Sequence, residues 1–244
     1  MNSNRQKPPT PWPLVVLFFV ISICVIVVGI LYYYNQKKTL LEEKQQELSA
    51  ISDLKIRQIT QWRLDRLGNA IFLGENTLLV KRISKFLQTT SNKSLNANVL
   101  QSLKSLTENF DYKNVLLLDT TGNVRLSYPD QDTLIGDHLK PLLRGIINKR
   151  KVVLTDLHRT SLVNYVHLDL IVPLIDHSTN DTLVLGVLAL RIDPQKVLYP
   201  LIQLGPTPSK SAESLLIRRE GEEIVYLNEL RHIKNDELLF RKPL

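Results

Sequence analysis

The sequence predicts an α+β fold: a long N-terminal helix packed on an antiparallel five-stranded sheet, with part of a second sheet-bearing lobe after it. Three observations predict it. An uncharged apolar run, Leu14–Tyr34, leads into a proline-free stretch that keeps a helical apolar stripe as far as Leu73. A strand–turn–strand pattern opens the sheet: Val115–Asp119, then Thr120-Thr121-Gly122-Asn123, then Val124–Tyr128. Two apolar strands, Asn164–Leu174 and Leu183–Ile192, flank a polar loop at Asp176–Asp181 and close it. Helices gathered early in the chain and strands gathered later read as α+β, not as alternating α/β units.

Taken in order, the chain is expected to begin with a tail at 1–13 and a transmembrane helix at 14–34. At about 1.5 Å per residue the apolar run reaches about 30 Å, enough for a bilayer core. It is too long for the apolar core of a cleaved signal, and Tyr32, Tyr33 and Tyr34 follow it instead of a small-residue cleavage site. Those tyrosines and Trp12 suit the two membrane interfaces. Arg5 and Lys7 flank one side, and Lys37, Lys38 and Lys44 the other, so charge does not orient the span. Residues 35–75 are expected as stalk and long helix. Leu48, Ile51, Ile59, Trp62, Ala70 and Leu73 share one face of Gln36–Leu73, with Ile56 and Leu67 at its edge. Lys55 and Arg66 interrupt that stripe. At about 55 Å this helix exceeds what one small domain needs, so part of it is expected as a stalk or dimer contact.

Further helix is expected over Glu75–Phe110, broken by the polar segment TTSNKSLNAN. After the first hairpin, Pro129-Asp130-Gln131-Asp132 ends the strand. A short helix at His138–Asn148 tolerates Pro141 near its start. Lys151–Leu157 reads as the third strand, and Asp193-Pro194 opens a helix through Leu201. Gly205-Pro206-Thr207-Pro208-Ser209 is a linker between a domain at 76–204 and a segment at 205–244. In that segment Ser214–Arg219, the Glu220-Gly221-Glu222 turn and Glu223–Asn228 repeat the hairpin pattern. About 35 residues are too few to bury an independent core, so this lobe is expected to be incomplete.

Apolar content of 43% and charged content of 23% are those of an ordinary globular chain. The net charge of +7 is scattered. Its longest cluster, Lys149-Arg150-Lys151, lacks aromatic neighbours and reads as solvated surface, which argues against a nucleic-acid partner. The single cysteine, Cys24, lies in the apolar run, so no intramolecular disulfide or cysteine metal site is expected. Signatures of acyl-transfer serine enzymes, phosphate loops, zinc proteases and dinucleotide sites are absent, so no catalytic residue, cofactor or enzymatic activity is expected.

Candidate binding groups concentrate around 156–169. His167 and Asp169 stand two apart on a strand and so share a face. Val166, Leu168 and Leu170 take the other face, against the long helix. His158, Arg159 and Asn164 lie in the loop before. With Tyr128 of the first hairpin, these residues are expected to line a pocket for a small polar or anionic ligand. Arg125 and Tyr128 fall on alternate faces, so at most one of them joins it. His158, His167 and Asp169 are metal-ligand types, but their sequence spacing is not compact and no metal site is expected.

Several stretches resemble a known family. Lys55-Ile56-Arg57-Gln58-Ile59-Thr60-Gln61-Trp62-Arg63 looks like its N-terminal helix, and Val115–Gly122 like its first hairpin. His167-Leu168-Asp169-Leu170-Ile171-Val172-Pro173-Leu174 and Gly186–Pro194 look like its closing strands, and Ser214–Leu230 like the opening of its second lobe. The family is that of the double Cache, PAS-like extracytoplasmic sensors of bacterial membrane receptors of the histidine kinase or diguanylate cyclase type. The resemblance implies a PAS-like sheet, a membrane-distal sensor lobe at 76–204 and a membrane-proximal lobe at 205–244. It implies a cytoplasmic tail, a single inner-membrane span and a periplasmic bulk. The partners it implies are a small-molecule ligand, and a homodimer mate or intact receptor through the N-terminal helix. The sequence departs from the family twice. It stops inside the second lobe, so a receptor region without its transmitter is expected, as a truncated receptor, a split gene product or a short form that pairs with an intact partner. It also lacks the Arg-x-Trp-Tyr cluster of the amino-acid-binding subgroup, so that ligand class is not implied. The competing expectation is a single-pass envelope protein that contacts another protein and takes no small ligand.

Overall fold

The computed structural model describes residues 11–89, 93–130, 135–136, 139–160, 163, 165–177, 183–203, 213–229, 238 and 240–244. The chain divides into two compact units, Met1–Leu54 and Lys55–Leu244. Helix α1, Trp12–Gly74, contributes to both.

In the first unit the described residues are helical from Trp12 onward. Pro11, just before the helix, lends its carbonyl to Leu14 N at 3.0 Å. Among the described helices this is the one long and apolar enough to cross a membrane, and its apolar window is not buried in the protein. The Leu, Val, Ile and Phe side chains of this stretch are exposed. Leu48, expected on the buried stripe, is 62% exposed.

In the second unit α1 buries the stripe that the sequence predicts. Ala70 is fully buried, and Ile59, Trp62, Leu67 and Leu73 pack against the same core, whereas Ile56 is exposed. The two cations on the stripe have partners. Lys55 Nζ donates to the Leu201 carbonyl at 2.6 Å, and burial lowers its pKa. Arg66 donates to the Phe110 carbonyl at 2.9 Å and lies over the Tyr112 ring. Both carbonyls lie at helix C-termini, where unpaired acceptors and the helix dipole favour a cation.

Helix α2, Thr77–Gln88, is capped by Asn76, whose side chain accepts from Leu79 N at 3.0 Å. Asn76→Ala is expected to lower stability by about 1 kcal/mol, measured by urea unfolding; an unchanged midpoint would remove the cap's role. Helix α3, Lys93–Phe110, starts inside the segment expected as loop. Leu95, Val99, Leu103 and Leu106 keep helical spacing there, and the last three are buried, so packing overrides the polar composition.

The main sheet contains β1 (Tyr112–Leu118), β2 (Val124–Tyr128), β3 (Val153–Leu154), β4 (Leu168–Asp176) and β5 (Leu183–Ile192). It is antiparallel, in the order β2-β1-β5-β4-β3. Strands β2 and β5 have the bounds expected from sequence. Strand β3 is far shorter than Lys151–Leu157 and β4 starts later than Asn164. The Thr155 hydroxyl accepts the Asp169 N–H at 2.8 Å, in place of a main-chain acceptor. The other bond of the pair remains, Thr155 N–H to the Asp169 carbonyl at 2.9 Å, and beyond it lies an isolated bridge, with His158 and His167 exchanging N–H···O bonds of 3.0 and 2.9 Å.

Each sheet face has its own core. Val115, Leu117, Leu168, Leu170, Val172, Leu188 and Leu190 pack toward the N-terminal helices. Leu116, Leu118, Ile171, Val187 and Ala189 pack under Leu139, Leu143 and Ile146 of α4, Leu139–Lys149. Helix α5, Leu198–Gln203, follows a turn at Pro194–Val197. The second hairpin forms as β6 (Ile217–Glu220) and β7 (Glu223–Tyr226), and a strand not foreseen, β8 (Arg241–Pro243), completes a sheet in the order β6-β7-β8. Its Val225 and Leu227 join the main core, and the Tyr199 hydroxyl donates to the Leu227 carbonyl at 2.6 Å. This small sheet therefore leans on the larger core, as its few residues require.

Candidate functional site

A polar row crosses the α4 face of the main sheet at one end. Register places Asn114 of β1 opposite Arg191 of β5, and Arg191 opposite Asp169 of β4. Alternation along each strand puts them on the face of Leu116, Ala189 and Ile171, which α4 covers further along. The row is buried: Asn114 and Arg191 are 1% exposed, and Asp169 and His167 0%. The Asn114 amide donates to the Pro129 carbonyl at 2.9 Å.

Asp169 is the centre of the group. Its Oδ1 accepts from Arg191 Nε at 3.3 Å. Its Oδ2 lies 3.4 Å from His158 Nε2 and 3.6 Å from His167 Nε2. The far nitrogen of each imidazole is tied to main chain: His158 Nδ1 donates to the Asp156 carbonyl at 2.8 Å, and His167 Nδ1 to the Tyr165 carbonyl at 3.0 Å. A carbonyl only accepts, so both rings carry their proton on Nδ1 and turn Nε2 toward the carboxylate. The two rings meet at a centroid distance of 4.3 Å.

The two histidines titrate apart. Burial pushes His167 down to about 4, against the pull of Asp169. Burial also works to lower His158, but the Asp169 carboxylate and the Asp156 carbonyl outweigh it and hold its pKa above the usual value. Burial would raise Asp169, yet His158, His167 and Arg191 outweigh it and keep the carboxyl below its ordinary range.

Of the residues expected from sequence, the structure brings His158, His167 and Asp169 together. Arg159 is half-buried beside His158 in the chain. Asn164 lies outside the described residues. Tyr128 is separated from the group: it pairs with Val115 and packs with the core toward the N-terminal helices, on the opposite face of the sheet. Alternation within β2 is legible from sequence, but the register against β1 decides which face Tyr128 takes. Asn114 and Arg191 were not foreseen. The available signal was a charged residue at the end of the apolar strand LVLGVLALRI. Residues that are far apart in sequence spacing lie close in space, because the strand bridge brings His158 and His167 side by side. Cavities of about 400 Å³, lined by Ile59, Trp62, Leu154 and Leu216, and about 370 Å³, lined by Leu67, Ile71 and Pro173, open beside α1 instead. Charged residues also line them, Arg63 and Asp156 the first and Glu75, Arg150 and Lys151 the second, whereas the buried polar row lies outside both.

No family model matches the chain, and no curated protein matches it. Among solved structures it is similar to the ligand-binding domain of the Campylobacter jejuni chemoreceptor Tlp3 in complex with L-norvaline. The identity is 16% over 68% of this chain and 64% of that one, so the match spans less than two thirds of that domain, with a TM-score of 0.44. It is similar to the ligand-binding domain of the Pseudomonas aeruginosa amino-acid chemoreceptor PctC in complex with GABA, at 13% identity over 75% of each chain and a TM-score of 0.49. It is also similar to the sensor domain of the Vibrio cholerae histidine kinase DctB, at 14% identity over 81% of this chain and 89% of that one, with a TM-score of 0.46. In each case the chain is similar to the ligand-binding or sensor region of a bacterial receptor.

Proposed function

We propose that this chain is a membrane-anchored extracytoplasmic sensor that binds a small polar or anionic molecule on the α4 face of its main sheet. One observation carries the reading: Asn114, Arg191, Asp169 and His167 form a fully buried polar row at one end of a face whose core under α4 is apolar. A buried ion pair contributes little net stability against an apolar replacement, so such a row needs another reason to persist. Arg191 offers a planar donor fork suited to carboxylate or phosphate, and Asp169 and the imidazoles supply the opposing polarity. The exposed apolar stretch of α1 is a membrane span, with the N-terminal tail cytoplasmic and the bulk periplasmic at a bacterial inner membrane. The ligand lobe is 76–204, and 205–244 belongs to a second lobe. The N-terminal helix is the contact for a second copy or a receptor partner. The chain acts by binding and not by catalysis. A signal requires the ligand to favour one of two conformations, and ordering around the polar row is where that preference would arise.

The test is a melting series on the full chain in detergent micelles with a panel of small mono- and dicarboxylates. A ligand at one hundred times its dissociation constant stabilises by about 2.7 kcal/mol, which shows as a saturable rise in melting temperature. His158→Gln, at a partly buried position, should diminish that rise. A folded sample whose melting is unmoved by every member of the panel would sink the reading.

A further inference from the structure

We infer that His158, His167 and Asp169 form a binding site for a divalent transition-metal ion of the Zn²⁺ class. One ligand atom from each of these residues lies within 4.8 Å of the others. With both Nδ1 protons donated to carbonyls, each Nε2 presents a lone pair, and Asp169 Oδ2 presents another. Three acceptors thus face one point. Neither His167 Nε2 nor Asp169 Oδ2, both buried, makes a hydrogen bond. With both imidazoles neutral, acceptors packed against one another repel, and a cation among them removes the repulsion.

The spacing fits. Ligand bonds of about 2.0–2.1 Å at a tetrahedral centre put neighbouring ligand atoms about 3.3 Å apart. The separations from Asp169 Oδ2 to the two Nε2 atoms are 3.4 and 3.6 Å. The backbone holds the set in advance. His158 and His167 face each other across a two-bond bridge, and Asp169 follows two residues along, on the same face as His167. The outer shell is that of a metal centre: main-chain carbonyls fix both imidazoles, and Arg191 on Oδ1 leaves Oδ2 to act as a single-atom ligand. Two imidazoles and one carboxylate select Zn²⁺ and its neighbours over Mg²⁺ or Ca²⁺, which take oxygen ligands. The positive charge of Arg191 nearby strengthens that selection, because affinity then rests on the nitrogens. A fourth position remains for water or an anion.

This inference uses the same buried group as the proposed sensor but does not depend on an organic ligand. The full chain, purified without an oligohistidine tag, is stripped with a chelator, equilibrated with Zn²⁺ alone and dialysed, and its metal content is measured. About one Zn²⁺ per chain is expected, with Co²⁺ giving the visible absorption of a low-coordinate site and with Mg²⁺ and Ca²⁺ not retained. His158→Gln should weaken Zn²⁺ by more than the ten- to hundredfold that loss of an outer-shell partner costs, with circular dichroism showing that the variant is folded. His167→Gln, at a fully buried position, serves as a second variant where it folds. Zn²⁺ content no higher than a buffer blank in folded protein overturns the site, as does wild-type affinity in folded His158→Gln. Zn²⁺ bound without any carboxylate response upholds the metal site and sinks only the proposed ligand class.

Discussion

Asp169→Ala is expected to lower the stability of the folded chain by about 3–5 kcal/mol, the range for breaking a buried ion pair from one side. The carboxylate is 0% exposed and sits 3.3 Å from a guanidinium that is 1% exposed. Its removal leaves Arg191 in the core without that counter-charge, and burial of a charge is costly unless it is compensated. The two imidazoles supply no negative charge in exchange. The double variant Asp169→Leu with Arg191→Met should recover most of the loss, because matched apolar replacements of a buried pair are often neutral or better. Urea unfolding followed by the fluorescence of Trp62, which packs against the main core, measures both, and the double-mutant cycle isolates the coupling. A single variant within about 1 kcal/mol of wild type, or a double variant no better than the single one, contradicts the pairing described above.

Gly186 supports the second large expectation. A Cβ at this position would stand 2.6 Å from the Leu118 carbonyl oxygen and 3.2 Å from Leu87 Cδ1. The leucine side chain can turn away. The carbonyl belongs to β1, which pairs with β5 at this point, and moving it opens the central ladder. Gly186→Ala is therefore expected to cost about 1–3 kcal/mol, and Gly186→Val more, since its branches add bulk against the same strand. Gly145 in α4 is the control: a Cβ there meets nothing within 4 Å, and Gly145→Ala should stabilise by up to about 1 kcal/mol. Thermal and urea unfolding of the three variants read the order directly. Equal midpoints for Gly186→Val and wild type would refute the close approach of β1 and β5.

Much of the fold is legible along the chain because it depends on local periodicity. The apolar run, the helical stripe through Trp62 and Ala70, and strands β2 and β5 follow from spacing within a few turns or residues. Where reading failed, the deciding partner lay far away in sequence. Polar composition argued for a loop at 89–98, yet burial of Val99 and Leu103 holds most of it helical. Lys55 and Arg66 look like faults in an apolar stripe until the ends of α5 and α3 are placed beside them.

The candidate site divides the same way. That His167 and Asp169 share a strand face, that His158 lies just upstream, and that a long helix opening with an uncharged run precedes the sheet can all be read along the chain. Alternation and helical rise set these, and both are properties of the backbone alone. Only the tertiary structure decided that Arg191 and Asn114 complete the row, that Tyr128 faces away from it, and that two imidazoles converge on one carboxylate oxygen. Each of these depends on strand register. Register is set by how whole strands and their covering helices pack, and a shift of one residue would send every one of these side chains to the other face.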